Sequence, residues 1–570
     1  MSTVNIKING TPVQAKEGST VLEASRAAGV DIPTLCHHPA LANIGACRIC
    51  LVEIAKQPAL QPACTFPVME GMEVETESPR AVEIRKFVLE MLFSERNHYC
   101  MYCEMSGDCE LQALAYRYKL DHWTYPSPQE KYEVDGSRKY FMMDHNRCIL
   151  CRRCIRACAD LAANNTLGLK FRGAKTMINA DMDVPFGDST CVSCGTCLQV
   201  CPTGALVDRK SAYMGRNCQV EKTASTCTFC SVGCQTQVVT RGGHPIRVEG
   251  DWDGANGGVL CQAGRFDPIY EMAPRITAPL MRKKGKLEEV GMDEALAAIG
   301  AKLKAAGGAR TRAVITGRAL DQTLDAFVGL FRDKLQASIG TLEPSLGMDL
   351  PQDGTLASLD GADAILIAGG DPLDGQKVLG YRIKRARQRG AAVLFVGDAK
   401  ADLARFATKK FAPEQLDKAI ALCAAAASPA VVYGDGLTEE AINQLATLKD
   451  KARFLPLYPA TNGRQAEALG LRYGLSAGDL NVAFVLAQDA PLTEGALKLL
   501  RAAKCLIAVA SHAGPLTEVA DIVLPAALWY ERQGTFCNLE GRTMTVTPAL
   551  KAPEWLVEED EVLSRLAAKL

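Results

Sequence analysis

The sequence predicts a multidomain protein that is α+β in its first half and α/β in its second half. The chain has 570 residues, which suggests about four domains at roughly 150 residues each. Twenty of its 23 cysteines lie before residue 262, in tight clusters. From about residue 275 apolar strands alternate with helix-like segments, a pattern typical of a parallel sheet covered by helices.

Composition excludes several classes of function. The chain carries 64 basic and 65 acidic residues, and this balance excludes a broad electrostatic footprint for nucleic acid. No apolar run reaches about 18 residues, so we expect no helix that spans a membrane. The start, MSTVNIKING, lacks a secretory signal, so we expect a cytoplasmic protein. Because such proteins rarely use cysteine for disulfides, the clusters indicate metal binding.

Residues 1–79 are predicted to form a small α+β domain of the β-grasp type found in [2Fe-2S] ferredoxins. Residues 4–8 alternate like a half-buried strand, and the Asn9-Gly10 pair predicts a hairpin turn. Thr20 and Glu23 form a candidate capping box for a helix that ends at Gly29.

The first cysteine group lies in this domain and suits a two-iron cluster. It consists of Cys36, Cys47, Cys50 and Cys64. Four thiolates around a loop that contains Gly45 are typical of a ferredoxin, although the spacing differs from the plant pattern. A structural zinc site is the alternative.

The second group lies in a helical segment, residues 80–120, and suits a four-iron cluster. Its members are His98, Cys100, Cys103 and Cys109. Three cysteines leave one iron of a cubane without a ligand, and His98 is the nearest candidate for the fourth. A zinc ion held by the same four side chains is the alternative.

The third and fourth groups form a two-cluster ferredoxin signature within residues 138–212. Both runs are spaced C-x2-C-x2-C-x3-C, and they consist of Cys148, Cys151, Cys154 and Cys158, then Cys191, Cys194, Cys197 and Cys201. In this signature the fourth cysteine of each run binds the other cluster. We therefore expect Cys201 to complete the first cluster and Cys158 to complete the second.

Four arginines lie within or next to the first of these runs: Arg147, Arg152, Arg153 and Arg156. They either offset the negative charge of a cluster and raise its potential, or form a solvated face. The sequence does not choose between these two interpretations.

The fifth group lies within residues 220–275 and again suits a four-iron cluster, with zinc as the alternative. It consists of Cys227, Cys230, Cys234 and Cys261. Together the groups predict one [2Fe-2S] and four [4Fe-4S] clusters, which transfer single electrons. The chain has no catalytic constellation, no phosphate-binding loop and no dinucleotide fingerprint after a strand, so we expect it not to bind NAD itself.

The order of the five groups resembles the large iron–sulfur subunit (75-kilodalton type, G-type) of complex I. It also resembles the iron–sulfur subunits of NAD-linked hydrogenases and formate dehydrogenases. Residues 95–112 are most similar to the hydrogenase type, in which the histidine precedes the first cysteine by two positions. The complex I pattern places it four before, where this chain has Arg96.

Residues 276–570 resemble a molybdopterin oxidoreductase domain, in motifs such as ADAILIAGGDP at 362–372. Active members of that family usually have a lysine two residues after the fourth cysteine, and here that residue is Ala263. The region after Cys261 is also short for a catalytic domain. The resemblance therefore implies a truncated, degenerate domain without molybdopterin.

The resemblance implies an electron-transfer subunit of a multisubunit NAD(P)H-linked oxidoreductase. Its expected partners are an NAD(P)H-oxidising flavoprotein, a small thioredoxin-like [2Fe-2S] subunit, and a hydrogenase, formate dehydrogenase or quinone-reducing module. Such partners would place it on the inner face of the membrane. The alternatives are a catalytic molybdenum or tungsten formate dehydrogenase, an [FeFe] hydrogenase and a zinc-stapled scaffold.

Overall fold

The computed structural model describes residues 2–127, 131–271, 273–475 and 480–570. The chain divides into two compact units, Met1–Val220 and Glu221–Leu570. Over these described residues, no helix is long and apolar enough to cross a bilayer. The first unit holds four cysteine groups, and the second holds the fifth group and the α/β region.

The first unit begins with a mixed sheet packed on one short helix. In spatial order its described strands are Thr11–Lys16, Thr3–Ile8, Glu73–Glu75, Leu51–Ile54 and Gln61–Pro62. Helix Val21–Ala27 begins at the predicted capping box, since the side chain of Thr20 accepts from the backbone of Glu23 and the side chain of Glu23 bonds back. Apolar side chains of strand and helix close a common core under the cysteine loop.

Two longer helices follow and carry the second group between them. Helix Pro79–Glu95 begins at Ser78, whose side chain accepts from the backbone of Ala81, and helix Glu110–Arg117 begins directly after Cys109. The connecting segment makes one turn of 3₁₀-helix over Cys100–Tyr102. The sequence predicts a helical segment with an interrupting cysteine loop here, and the structure agrees.

The ferredoxin-like part of the first unit has short elements and little apolar mass. Its described strands are Val134–Asp135, Phe141–Asp144, Leu167–Lys170, Met177–Ala180 and Leu206–Asp208. Its helices are Arg153–Arg156, which continues as a π-helical turn over Ala157–Leu161, and Thr196–Val200; single 3₁₀ turns cover His145–Arg147, Gly173–Lys175, Phe186–Asp188 and Asn217–Gln219. Regions this poor in core are commonly stabilised by bound metal.

The second unit begins with an antiparallel meander, which is followed by two short helices. The strands are Glu221–Thr226, Gln235–Arg241 and His244–Gly250, and the helices are Gln262–Arg265 and Asp267–Tyr270. The first helix begins at Cys261, so the last cysteine of the fifth group stands at its N-terminal end.

The rest of the second unit builds two large sheets within its described residues, where the sequence suggests one parallel sheet. The seven-stranded sheet runs Lys286–Glu289, Leu280–Lys283, Ile522–Pro525, Cys505–Ala510, Val482–Gln488, Thr311–Ile315 and Ser338–Thr341. The five-stranded sheet runs Lys409–Phe411, Ala392–Val396, Ala364–Ala368, Pro429–Tyr433 and Arg453–Pro456. The second sheet is parallel throughout, whereas the first has an antiparallel hairpin at its edge. The division into two sheets depends on pairing between strands that are far apart in sequence, so the local sequence pattern does not predict it.

Helices cover both sheets, as alternation of strands and helices predicts. They are Met292–Ala306, Asp321–Val328 with a π-helical turn Gly329–Lys334, Leu356–Asp360, Lys377–Gln388, Leu416–Ala424, Glu439–Ala446, Gly463–Ala468, Glu494–Leu500, Pro515–Val519 and Glu559–Lys569. Single 3₁₀ turns lie at Gly308–Arg310, Leu403–Phe406, Pro413–Gln415 and Trp529–Glu531, and a separate hairpin pairs Gly534–Cys537 with Thr543–Val546.

Candidate metal centres

Hydrogen bonds link the four thiols of the first group in a row. The Cys36 thiol is hydrogen-bonded to those of Cys47 and Cys64, and the Cys64 thiol is also bonded to Cys50. The backbone N–H of Cys36 donates to the Cys47 Sγ over 3.4 Å. Thiols this close suit a small two-iron centre, whose four ligands belong to only two metal atoms.

The second group lines a small cavity. Its lining includes all four predicted side chains, His98, Cys100, Cys103 and Cys109. The buried Nε2 of His98 has no hydrogen-bond partner among the described residues, while the ring also bonds to the backbone of Leu92. Metal-bound histidines commonly bond through their other ring nitrogen in this way, so the imidazole is oriented like a ligand.

The charge state of His98 fits the same role. Burial lowers its pKa to about 4, and the positive charges of Arg147 and Arg96 act in the same direction. The ring is therefore neutral at physiological pH, which is the form that binds metal. Arg96 occupies the position at which the complex I pattern has its histidine. Its guanidinium donates to the carbonyls of His145 and Thr176.

The two ferredoxin runs exchange their last cysteines. One small cavity is lined by Cys148, Cys151, Cys154 and Cys201. A second small cavity is lined by Cys158, Cys191, Cys194 and Cys197. These are the two sets that the spacing predicts.

The burial of these thiols is consistent with a role as ligands of a metal cation. It raises the pKa of Cys148 to about 11 and that of Cys151 to about 12. A buried thiolate is costly unless a positive charge compensates it, and iron supplies that charge. Among the described residues, no three Cys, His, Asp or Glu side chains converge tightly enough to hold a single metal ion.

The fifth group gathers at the start of the second unit. The backbone N–H of Cys227 donates to the carbonyl of Cys234 over 2.9 Å. Burial raises the pKa of Cys261, and the backbone of Gly264 and the charge of Lys377 only partly offset this. Lys377 lies at the start of its own helix, so the charge of a lysine acts on Cys261 although residue 263 is alanine.

Several buried or half-buried arginines lie near the cysteines of the first unit, and the sequence analysis missed Arg85 and Arg138 among them. Arg85 is fully buried and donates to the carbonyls of Ile49 and Leu51, which flank Cys50. Arg138 donates to the carbonyl of Cys191 and to the Ser193 hydroxyl. A signal for Arg85 was present, because it lies four residues after buried Ala81 and four before buried Leu89 on one helix face.

The four arginines of the first ferredoxin run do not form one solvated face. Arg153 and Arg156 are buried, Arg147 is half-buried, and Arg152 is exposed. The Arg147 guanidinium donates to the carbonyl of Asn97, next to His98. Most of this charge is therefore placed among the cysteine groups.

A large, partly open cavity of the second unit lies at the carboxyl ends of strands Val482–Gln488 and Cys505–Ala510. Its polar lining includes three carboxylates, of Asp267, Glu271 and Asp489, and the imidazole of His512. No lysine or arginine occurs among the described residues that line it. Because molybdopterin cofactors carry phosphate, this acidic lining does not fit one.

The fold and the cysteine groups define an iron–sulfur protein joined to a molybdopterin-oxidoreductase-like domain, and family models match in the same order. They are a 2Fe-2S iron–sulfur cluster binding domain at 1–79, the NADH-ubiquinone oxidoreductase-G iron–sulfur binding region at 85–123, the NADH-quinone oxidoreductase subunit 3 ferredoxin-like domain at 139–207, the molybdopterin oxidoreductase Fe4S4 domain at 220–268 and molybdopterin oxidoreductase at 275–568. The last model covers more than half of the chain, which therefore belongs to the molybdopterin oxidoreductase family and matches its complex I G-type subunits.

Several known proteins are similar to this chain. A G-type NADH-quinone oxidoreductase subunit of Rhizobium meliloti is 32% identical over 68% of this chain and 46% of its own length. NADH-quinone oxidoreductase subunit 3 of Thermus thermophilus is 27% identical over 96% of this chain and 80% of its own length. A chain in the crystal structure of an NAD⁺-reducing [NiFe]-hydrogenase is 34% identical, over 38% of this chain and 91% of that chain, with a TM-score of 0.36. The chain thus spans about half the length of the Rhizobium relative and most of the Thermus relative. The predicted resemblance to the G-type complex I subunits is confirmed, as are the domain classes in their order.

Proposed function

We propose that the chain is an electron-transfer iron–sulfur subunit of a multisubunit NAD(P)H-linked oxidoreductase. The observation that carries the proposal is the exchange of Cys158 and Cys201 between the two ferredoxin runs. Bound iron–sulfur clusters supply one-electron chemistry. The chain's own residues hold them in a fixed series, exclude water and set the local charge.

The ligands follow from the five groups. The two-iron centre is held by Cys36, Cys47, Cys50 and Cys64; the first four-iron centre by His98, Cys100, Cys103 and Cys109; the second by Cys148, Cys151, Cys154 and Cys201; the third by Cys158, Cys191, Cys194 and Cys197; the fourth by Cys227, Cys230, Cys234 and Cys261. We assign these to domains at 1–79, 80–120, 138–212 and 220–275, with 276–570 as a domain that holds no cofactor.

Metal analysis tests this assignment. The chain, purified without oxygen, should contain about 18 iron atoms and about 18 acid-labile sulfide ions, as one two-iron and four four-iron clusters require. Stoichiometric zinc with little sulfide would refute the proposal in favour of a structural scaffold.

The partners we propose are an NAD(P)H-oxidising flavoprotein, a small thioredoxin-like [2Fe-2S] subunit and a terminal hydrogenase, formate dehydrogenase or quinone-reducing module. They would hold the chain at the inner face of the membrane. The chain alone should not be reduced by NADH, and it should become reducible when the flavoprotein is added. Identification of the subunits that co-purify names the terminal module, and rapid reduction of the isolated chain would reveal an unrecognised nucleotide site.

A catalytic molybdenum or tungsten enzyme is the second candidate, because a molybdopterin oxidoreductase model matches residues 275–568. The acidic lining of the large cavity and Ala263 favour a domain without the cofactor. Acid oxidation of the purified protein should release no fluorescent pterin, and both metals should be sub-stoichiometric. A full complement of either metal together with pterin would establish the enzyme instead.

A further inference from the structure

Arg156 connects the third cysteine group to the first. It lies in helix Arg153–Arg156, two residues after Cys154 and two before Cys158. Arg156 is only 9% exposed. The guanidinium donates from Nη2 to the carbonyl of Cys36 and from Nη1 to the carbonyl of Ala42, more than a hundred residues away in sequence.

The geometry of this contact is rigid. The Nε of Arg156 donates to the carbonyl of Arg152 over 3.3 Å, so the side chain is bonded to its own helix as well as to the distant loop. A planar guanidinium that satisfies three backbone carbonyls fixes both orientation and distance. The loop of residues 36–42 is thereby bonded to the helix that carries Cys154.

The charge of Arg156 interacts with thiols of two groups. Burial lowers its pKa, whereas the thiols of Cys36 and Cys151 act in the opposite direction. Cys36 belongs to the first group, and Cys151 lines the cavity of the third group. An arginine keeps its charge in proteins even when buried, so a fixed positive charge stands near both groups.

We propose that Arg156 is a positioning residue for electron exchange between the two-iron centre and the four-iron centre of Cys148, Cys151, Cys154 and Cys201. This inference rests on the proposed function. One electron leaves one centre and enters the other, with no bond or proton exchanged. Reduction adds a negative charge to a centre, so a neighbouring cation favours the reduced form, and the hydrogen bonds hold the two binding loops at a constant separation.

Two substitutions of Arg156 separate its charge from its geometry. Arg156→Met removes both the charge and the hydrogen bonds, whereas Arg156→Lys keeps the charge and loses the planar fork. Arg172→Met is the matched control, because Arg172 is exposed in the same domain. The readouts are redox titration of the full chain followed by electron paramagnetic resonance, and the relaxation enhancement that one reduced centre causes in the other.

In Arg156→Met the equilibrium constant for reducing the two-iron centre should fall about tenfold, which is about 59 mV for a one-electron couple. In Arg156→Lys the midpoint should stay near that of the unsubstituted chain while the relaxation enhancement weakens. Arg172→Met should change neither quantity.

The inference is overturned if Arg156→Met keeps its iron with both readouts unchanged, or if Arg172→Met lowers the midpoint equally. If Arg156→Met loses its iron, Arg156→Lys decides, and unchanged relaxation in that variant rejects the positioning role. An unsubstituted chain without a two-iron signal would instead reject the proposed function, so the two failures are distinguishable.

Discussion

The guanidinium of Arg153 and the carboxylate of Glu110 form a two-point ion pair. The distances are 2.6 Å from Nη1 to Oε1 and 2.7 Å from Nη2 to Oε2. Glu110 follows Cys109, and Arg153 precedes Cys154, so the pair joins the second cysteine group to the third. The Arg153 side chain is 3% exposed and that of Glu110 is 45% exposed.

This asymmetry predicts unequal costs for removing either partner. Glu110→Ala leaves a buried cation without its anion, and it should lower the free energy of unfolding by about 1–3 kcal/mol. Arg153→Met leaves a carboxylate that water can reach, so it should cost less. Anaerobic urea unfolding, followed by cluster absorbance, measures both.

The surface pair of Lys7 and Glu73 provides the control, since both side chains are 55% exposed. Lys7→Met should change stability by less than about 1 kcal/mol. A larger loss in Arg153→Met than in Glu110→Ala would contradict the argument from burial.

His98 is the sharpest prediction for a ligand. His98→Cys should keep four irons and lower the potential of that cluster, because a thiolate adds one negative charge to it. His98→Ala should weaken the cluster, with conversion to a three-iron form. Redox titration with electron paramagnetic resonance detects both changes, and His122→Ala, at an exposed position, is the control. If every signal and midpoint survives in His98→Ala, another group binds the fourth iron.

Gly204 is predicted to leave space for the cluster of the second cysteine group, that of His98, Cys100, Cys103 and Cys109. A Cβ at this position would lie 2.6 Å from the Sγ of Cys103, so the thiol would have to move. Gly204→Ala should therefore lose about four irons, those of one cubane, while the remaining clusters persist. Gly136→Ala is the matched control, since its Cβ would meet nothing within 4 Å. Full iron content with an unchanged spectrum in Gly204→Ala would remove this steric role.

Glu559 predicts a pH dependence of stability in the second unit. Burial raises its pKa, against the opposing charge of Arg532. A carboxyl whose folded pKa exceeds the unfolded value of about 4.3 contributes stability below that value, and the contribution is lost as pH rises through the folded pKa. Thermal unfolding should therefore shift to lower temperature above about pH 4.3.

Glu559→Gln should flatten this decline, because the amide oxygen can still accept from the side chain of Gln488 and the backbone of Ala527. Glu561→Gln, on the exposed side of the same helix, should leave the slope unchanged. Equal slopes for Glu559→Gln and the unsubstituted chain would assign the dependence to other groups.

Much of the architecture could be predicted because it depends on local spacing. A four-cysteine run and a capping box each lie within a dozen residues. The helix after Thr20 begins where its capping box predicts. The exchange of Cys158 and Cys201 spans a longer distance, yet it follows from a signature repeated twice. In the structure, Cys201 lines the cavity of the first run and Cys158 lines the cavity of the second.

What could not be predicted depends on contacts between distant segments. Gly204 matters because residues about a hundred positions apart meet at Cys103, and no local pattern records that meeting. Arg85 interrupts an apolar stripe, but the carbonyls of Ile49 and Leu51, to which it donates, lie more than thirty residues earlier in the chain. The division of the second unit into two sheets depends in the same way on long-range strand pairing.

The exchange between the ferredoxin runs also has a consequence for biosynthesis. The first two groups are complete once translation has passed Cys64 and Cys109, so each could receive iron while the chain is still growing. The cavity that begins with Cys148 lacks its fourth thiol until Cys201 has left the ribosome, later than the last cysteine of its neighbour. The site whose cysteines begin earlier in the chain is therefore the later of the two to have all four of its thiols.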